Sequence, residues 1–283
     1  MIKSGMKFLL VGLMLSVFAA SAEAEEIALR FSVYTAGMHA LDGQYQATIS
    51  ETGYHASATT KTMGMLDTLF EWRSTTTVAG LVEAGQLIPK TFDHQGQNRM
   101  GGRSIKVDFK ADGPRVASIQ GSGKYEDDSK GPAELYGLPI DVMTALTQGL
   151  LHKDVGGNLC APNMDVFTGK RRNTIRFEYI GPEKLKPSPY TSFVGEAIKC
   201  QMHYDRQIAF VEDWEKSQRK KAKQDKSKEK EKVTVFVWLS PIDKMGANIP
   251  VRIESNSRYG LSIVHLQEFR HGDEIKIARK AVD

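Results

Sequence analysis

Ile27-Ala28-Leu29-Arg30-Phe31-Ser32-Val33 alternates large apolar side chains with small or polar ones at every step. A period of two puts Ile27, Leu29, Phe31 and Val33 on one face of a strand and leaves the other face wet. The pattern recurs in Ile105-Lys106-Val107-Asp108-Phe109, in Ile175, Phe177 and Tyr179, in Val233, Val235 and Val237, and around Pro250 in Ile249, Val251 and Ile253. Glycine-bearing turns separate such runs: Ala36-Gly37, Thr52-Gly53, Ala84-Gly85, Gly101-Gly102 and Asp112-Gly113. Glycine tolerates the positive φ that tight hairpins need. Strand and turn repeating about every ten residues predict an antiparallel meander.

Two segments break this rhythm. Residues 139–152 carry Val142, Met143, Leu146 and Leu150 at spacings of three and four, behind Pro139 and a capping Asp141. That predicts one amphipathic helix whose Val, Met and Leu stripe packs on the sheet. Residues 213–232 are almost purely charged. From Trp214 to Lys232 they hold nine Lys or Arg against four acids, which leaves the rest of the chain mildly acidic despite a total of +4. A pI near 8.9 therefore marks one segment, not a nucleic-acid surface, and no nucleic-acid partner is expected. Lys216, Arg219, Lys220, Lys221 and Lys223 form a candidate basic surface for anionic headgroups. A solvated hairpin extension explains the same composition, because the interleaved acids weaken its field.

The first residues have the order of a secretory signal: Lys3 and Lys7, an apolar run from Phe8 to Phe18, then small residues ending Ala22-Glu23-Ala24. The expected division is a cleaved signal over 1–24 and a single β-rich domain over 25–283, with the charged insertion at 213–232. The apolar run is about half of what a spanning helix needs, and no later stretch is long enough. The expected address is the periplasm, with no transmembrane segment in the mature chain. Export bears on the two cysteines, Cys160 and Cys200. An isolated pair in an oxidising compartment is expected to form a disulfide, and a metal site would need more ligands than the nearby His203 supplies.

No G-x-S-x-G, H-E-x-x-H, S-x-x-K or P-loop occurs. The seven histidines are scattered, without an i, i+4 pair for a metal. His265, alternating with Ile263, reads as a surface or groove residue. We therefore expect no catalytic residues, no metal and no cofactor. Trp72, Phe167, Phe193 and Trp238 are candidate groove aromatics. They can line a cavity or fill an ordinary core, and a sheet curled around one helix often leaves a groove.

Several stretches resemble one family in order and spacing. They are Tyr34-Thr35-Ala36-Gly37-Met38-His39-Ala40, Trp72-Arg73-Ser74, Leu138 to Leu146, Cys160, Val166 to Arg172, Cys200, Val237-Trp238-Leu239 and Ile249 to Ile253. Together they resemble the family called domain of unknown function 3108. The resemblance implies an exported Gram-negative envelope protein with a curved antiparallel sheet, and it assigns no activity. The Lys-rich segment looks like an insertion relative to the family.

The expected architecture is mainly β: a curled antiparallel sheet, a half-open barrel or β-spiral, packed on one amphipathic helix. The expected role is non-enzymatic, an envelope-associated protein holding a lipid, acyl or peptide ligand in the concave face. The alternatives are a protein-interaction scaffold of the envelope and an envelope-polymer hydrolase.

Overall fold

The computed structural model describes residues 24–278 apart from 112, 122–138, 153–158, 161–162, 170, 210–233, 243–247 and 258–259. The signal over 1–24, but for its last residue, and the basic cluster Lys216, Arg219, Lys220, Lys221 and Lys223 lie outside the described residues. The first half of the chain forms strands β1 (Glu25–Thr35), β2 (Met38–Ile49), β3 (Gly53–Thr62), β4 (Arg73–Glu83), β5 (Gln86–Asn98), β6 (Gly101–Lys110) and β7 (Gly113–Gly121). A short helix, α1 (Gly64–Phe70), links β3 to β4. The second half forms β8 (Ile140–Asp141), helix α2 (Val142–Leu151), β9 (Met164–Phe167), β10 (Arg171–Leu185), β11 (Gly195–Ala209), β12 (Thr234–Pro241), β13 (Asn248–Ser257), β14 (Gly260–His271) and β15 (Glu274–Ala278).

All strands join one open, curled sheet in the order β7-β6-β5-β4-β3-β2-β1-β14-β13-β12-β11-β10-β9-β8. Each half is a meander of consecutive hairpins, and the halves are sewn together where β1 pairs antiparallel with β14. β15 folds back on β14, and the short β8–β9 contact is parallel. Two hairpins turn through Ala36-Gly37 and Ala84-Gly85, all four residues at positive φ. That conformation matches the right-handed twist of the strands it joins. The two ends of the sheet approach without pairing. A Cβ on Gly169, beside β9, would sit 2.6 Å from the Ile105 side chain of β6. The half-open barrel read from the sequence is thus the observed architecture.

Its concave side is filled. Leu29, Tyr45, Ala56, Val78, Phe92 and Val107 from the first meander meet Trp238, Ile249, Leu266 and Phe269 from the second, around Met143 and Leu150 of α2. The helix begins at the expected cap, since both backbone N–H groups of Met143 (2.8 Å) and Thr144 (2.9 Å) donate to Asp141 Oδ1. Its buried face differs from the expected stripe. Val142 and Leu146 face outward, and Met143, Thr144, Thr147 and Leu150 face inward. Two threonines displace two aliphatics because the sheet offers their hydroxyls partners. Tyr54 Oη lies 2.6 Å from Thr144 Oγ1, and Tyr45 Oη lies 2.6 Å from Thr147 Oγ1.

The disulfide forms as expected. Cys160 and Cys200 are bonded with their Cα atoms 5.9 Å apart. The bond clamps the segment after α2 onto β11, in a satellite cluster with Val237 and Leu239. Nothing in the sequence pattern announced α1, which the meander reading passes over. It ends at Glu71, held at a φ of 43°.

Candidate functional site

Alternation gives the first meander a second face, opposite Tyr45, Ala56 and Val78. There the register aligns a row of uncharged polar side chains, three glutamines and three hydroxyl residues. Gln44 lies opposite Thr59, Thr59 opposite Thr75, Thr75 opposite Gln95, Gln95 opposite Ser104 and Ser104 opposite Gln120. Two residues further along each strand, on the same face, runs a charged row, with Asp42 opposite Lys61, Lys61 opposite Arg73, and Arg73 opposite Gln97. These two rows floor an open cleft of about 690 Å³. Its lining contains no aliphatic or aromatic residue.

The charges in the cleft are unequally satisfied. Ser32 Oγ donates to Asp42 Oδ1 (2.9 Å), and His39 Nε2 lies 2.7 Å from the same oxygen. Arg73 donates to Asp67 Oδ1 on α1 (3.1 Å). The Thr62 hydroxyl and then Arg73 hold the Asp67 carboxyl below the usual carboxylate range. Lys61 is exposed and makes no ion pair among the described residues. It stands directly across from Arg73, and like charges directly opposite on a sheet repel.

The candidate groove aromatics do not converge. Phe167 and Trp238 are buried in the core at 1% and 2% exposure, and they line no open groove. Filling the concave side with α2 turned them into packing. Trp238 lies between the Lys199 ammonium, 4.7 Å from its ring, and the Arg252 guanidinium, 5.2 Å away. Phe193, at the core's edge, borders a small groove of about 370 Å³ with Val194, Pro241, Ile242 and Ile277. Trp72 is half-buried far along the sheet, over Gly96, where a Cβ would meet its ring at 2.4 Å. Only the absence of a side chain lets the indole lie flat there.

His265, expected at a surface or groove, is 4% exposed. It sits beside the rings of Tyr34 and Tyr190, with centroids 6.0 and 6.4 Å away. Burial, then the Arg252 charge, pushes its pKa down to about 4, so it is neutral at pH 7. Among the described residues its Nδ1 has no hydrogen-bond partner. Among the described residues no three His, Cys, Asp or Glu side chains gather to hold a metal ion. No described helix is long and apolar enough to cross a membrane.

The polar rows escaped the sequence reading because Gln44, Thr59, Thr75, Gln95, Ser104 and Gln120 are scattered along the chain. Only strand register brings them together. A signal was available in the Thr- and Ser-rich runs Ser57 to Thr62 and Ser74 to Thr77. They mark a face where short hydroxyls replace the usual long charged residues.

A solved structure similar to this chain is the beta-barrel-like protein of domain of unknown function DUF1849 from Brucella abortus. It is 10% identical, with a TM-score of 0.49, over 89% of this chain and 100% of that one. No curated protein matches this chain. The family described as proteins of unknown function, DUF3108, matches residues 30–266, nearly the whole described domain with its two meanders and its disulfide, and this chain belongs to it.

Proposed function

We propose that the protein is an exported, non-catalytic binding protein of the cell envelope. Its ligand is a hydroxyl-rich, anionic chain of glycan type, held on the polar face of the first meander. The observation that carries this reading is the in-register row Gln44–Thr59–Thr75–Gln95–Ser104–Gln120. Amides and hydroxyls both donate and accept, so such a row can bond sugar hydroxyls in either sense. Serine and threonine also lose less rotamer freedom on binding than lysine or glutamate. Neighbouring strands lie about 4.8 Å apart, so six of them present an extended platform suited to a chain. An anionic group over Lys61 and Arg73 would relieve the repulsion between them.

An acyl ligand in the concave face has less support, because α2 and the core side chains occupy that space. The Phe193 groove is a partly apolar recess among the described residues, and it is small.

The test is calorimetric titration of the mature protein with a uronic-acid oligosaccharide, a neutral glucan oligosaccharide and a fatty acid. Micromolar to millimolar binding of the acidic saccharide, weakened at least tenfold by Lys61→Ala, is expected. Absence of binding to both saccharides overturns the reading. Binding of the fatty acid alone would return the ligand to the Phe193 groove.

A further inference from the structure

One end of the first meander exposes apolar side chains that the fold could have buried. Met65 is 63% exposed, Leu69 59%, Phe70 55% and Met100 82%. Helix α1 buries none of its residues. The sequence places these side chains at one end of the sheet. α1 joins the end of β3 to the start of β4, and Met100 occupies the turn between β5 and β6. Met38, 47% exposed, opens β2 at the same end. The Arg99 Nε–Glu71 Oε2 contact of 3.1 Å ties that turn to the end of α1.

The helix is held in this pose. Met63 N donates to Ala40 O (2.9 Å), and Asp67 accepts from both Thr62 and Arg73. A seven-residue helix would not persist alone in water. The fold therefore fixes Met65, Leu69 and Phe70 in solvent. Surface apolar clusters of this kind mark interaction sites.

We propose that this end of the sheet docks on a lipid bilayer bearing anionic headgroups. The apolar side chains protrude from a helix and a turn tip, and methionine is unbranched and adaptable, which suits a fluid hydrocarbon boundary. Protein hot spots instead favour Trp, Tyr and Arg seated in well-packed pockets. Among the described residues, the basic side chains at this end, Lys61, Arg73, Arg99 and Arg103, outnumber Asp42, Asp67 and Glu71. That excess complements an anionic surface, and arginine and lysine stems can lie along the boundary with their heads in the headgroup layer. The docking surface shares Lys61 and Arg73 with the charged row of the cleft, whereas its apolar side chains Met65, Leu69, Phe70 and Met100 lie outside the cleft lining, so substitutions at those side chains test it apart from saccharide binding.

The experiment is co-sedimentation of the full mature chain with vesicles of phosphatidylcholine alone and of phosphatidylcholine with phosphatidylglycerol at three to one. Binding to the phosphatidylglycerol vesicles is expected, with at least a tenfold loss in the double variant Leu69→Gln/Phe70→Gln. The Lys-rich segment stays intact in that variant, so the loss reports on the rim. Met100→Gln, at the exposed turn tip, serves as the second variant should the helix double mutant lose its circular dichroism, and at least a threefold loss is expected of it. Saccharide binding should be unchanged in both. Absence of binding to phosphatidylglycerol vesicles overturns the proposal, as does equal binding by a folded variant. A concentration-dependent dimer abolished by the same substitutions would also overturn it, by assigning the patch to a second copy of the chain.

Discussion

The Tyr45 phenol lies 2.6 Å from the Thr147 hydroxyl, joining β2 to α2 in the buried centre of the molecule. Thr147 Oγ1 donates to Met143 O (2.8 Å), so the phenol must be the donor to Thr147. Burial pushes the Tyr45 phenol well above its usual range and keeps it protonated. The two ends of this bond differ in what their removal leaves behind. Tyr45→Phe leaves Thr147 satisfied and should cost about 1 kcal/mol. Thr147→Val strands a buried phenol and should cost about 2 to 3 kcal/mol. Urea unfolding of both variants checks the order, and equal losses would contradict the assigned donor.

Gly80 has an ordinary backbone conformation and still admits no side chain. A Cβ there would stand 2.2 Å from Ile88 O and 2.6 Å from Tyr54 Cε1. The first neighbour is backbone at the bulge between β4 and β5, so it cannot swing away. Gly80→Ala should lower stability by about 2 kcal/mol or more through overpacking. Gly85→Asn is the control. It retains the positive φ of an open turn at a site with no atom within reach, and thermal unfolding should show a change near zero.

His265 makes stability depend on pH. Its pKa is about 4 in the fold, against 6.5 for an ordinary histidine. The unfolded chain therefore takes up the proton first. The contribution is complete above pH 6.5 and is lost as pH falls from about 6.5 to 4, by up to about 3 kcal/mol. Unfolding free energies measured from pH 7.5 to 4 should fall more steeply in the wild type than in His265→Gln. Parallel curves would refute the assignment.

Reduction of the Cys160–Cys200 bond reopens a loop with a sequence separation of 40. The chain-entropy estimate for such a loop is about 4 kcal/mol. The double variant Cys160→Ser/Cys200→Ser should lose about that much in denaturant unfolding. Because the bond clamps the satellite cluster and not the first meander, saccharide binding should survive at temperatures where the variant stays folded.

The polar row separates binding from folding. Thr59→Val and Thr75→Val alter exposed positions on strands, where β-branched residues are favoured. Stability should change by no more than about 0.5 kcal/mol, while the affinity for the acidic saccharide falls at least fivefold. Unchanged affinity in the double variant would show that the row is only a solvated face.

Much of the fold was legible because its signals are local. The alternation from Ile27 to Val33 specifies a strand with one buried face. Ala36-Gly37 and Ala84-Gly85 specify tight turns, and Asp141 announces the start of α2. Cys160 and Cys200 find each other by being the only two cysteines. The helix stripe was misread because hydrophobicity alone cannot show that Thr144 and Thr147 meet tyrosine hydroxyls, which makes their burial favourable.

The sequence by itself determined a β meander with one capped helix and one disulfide. Only the tertiary structure decided how the halves join, at pairs such as Arg30 and Glu268, 238 positions apart. It also decided that α2 fills the concave side, which removes Phe167 and Trp238 from any open groove. And it decided that Gln44, Thr59, Thr75, Gln95, Ser104 and Gln120 share one row. The physical reason is the same in each case. Period and capping act between residues close in the chain, whereas strand register and the partners of buried hydroxyls are set by groups brought together only when the sheet closes around its core.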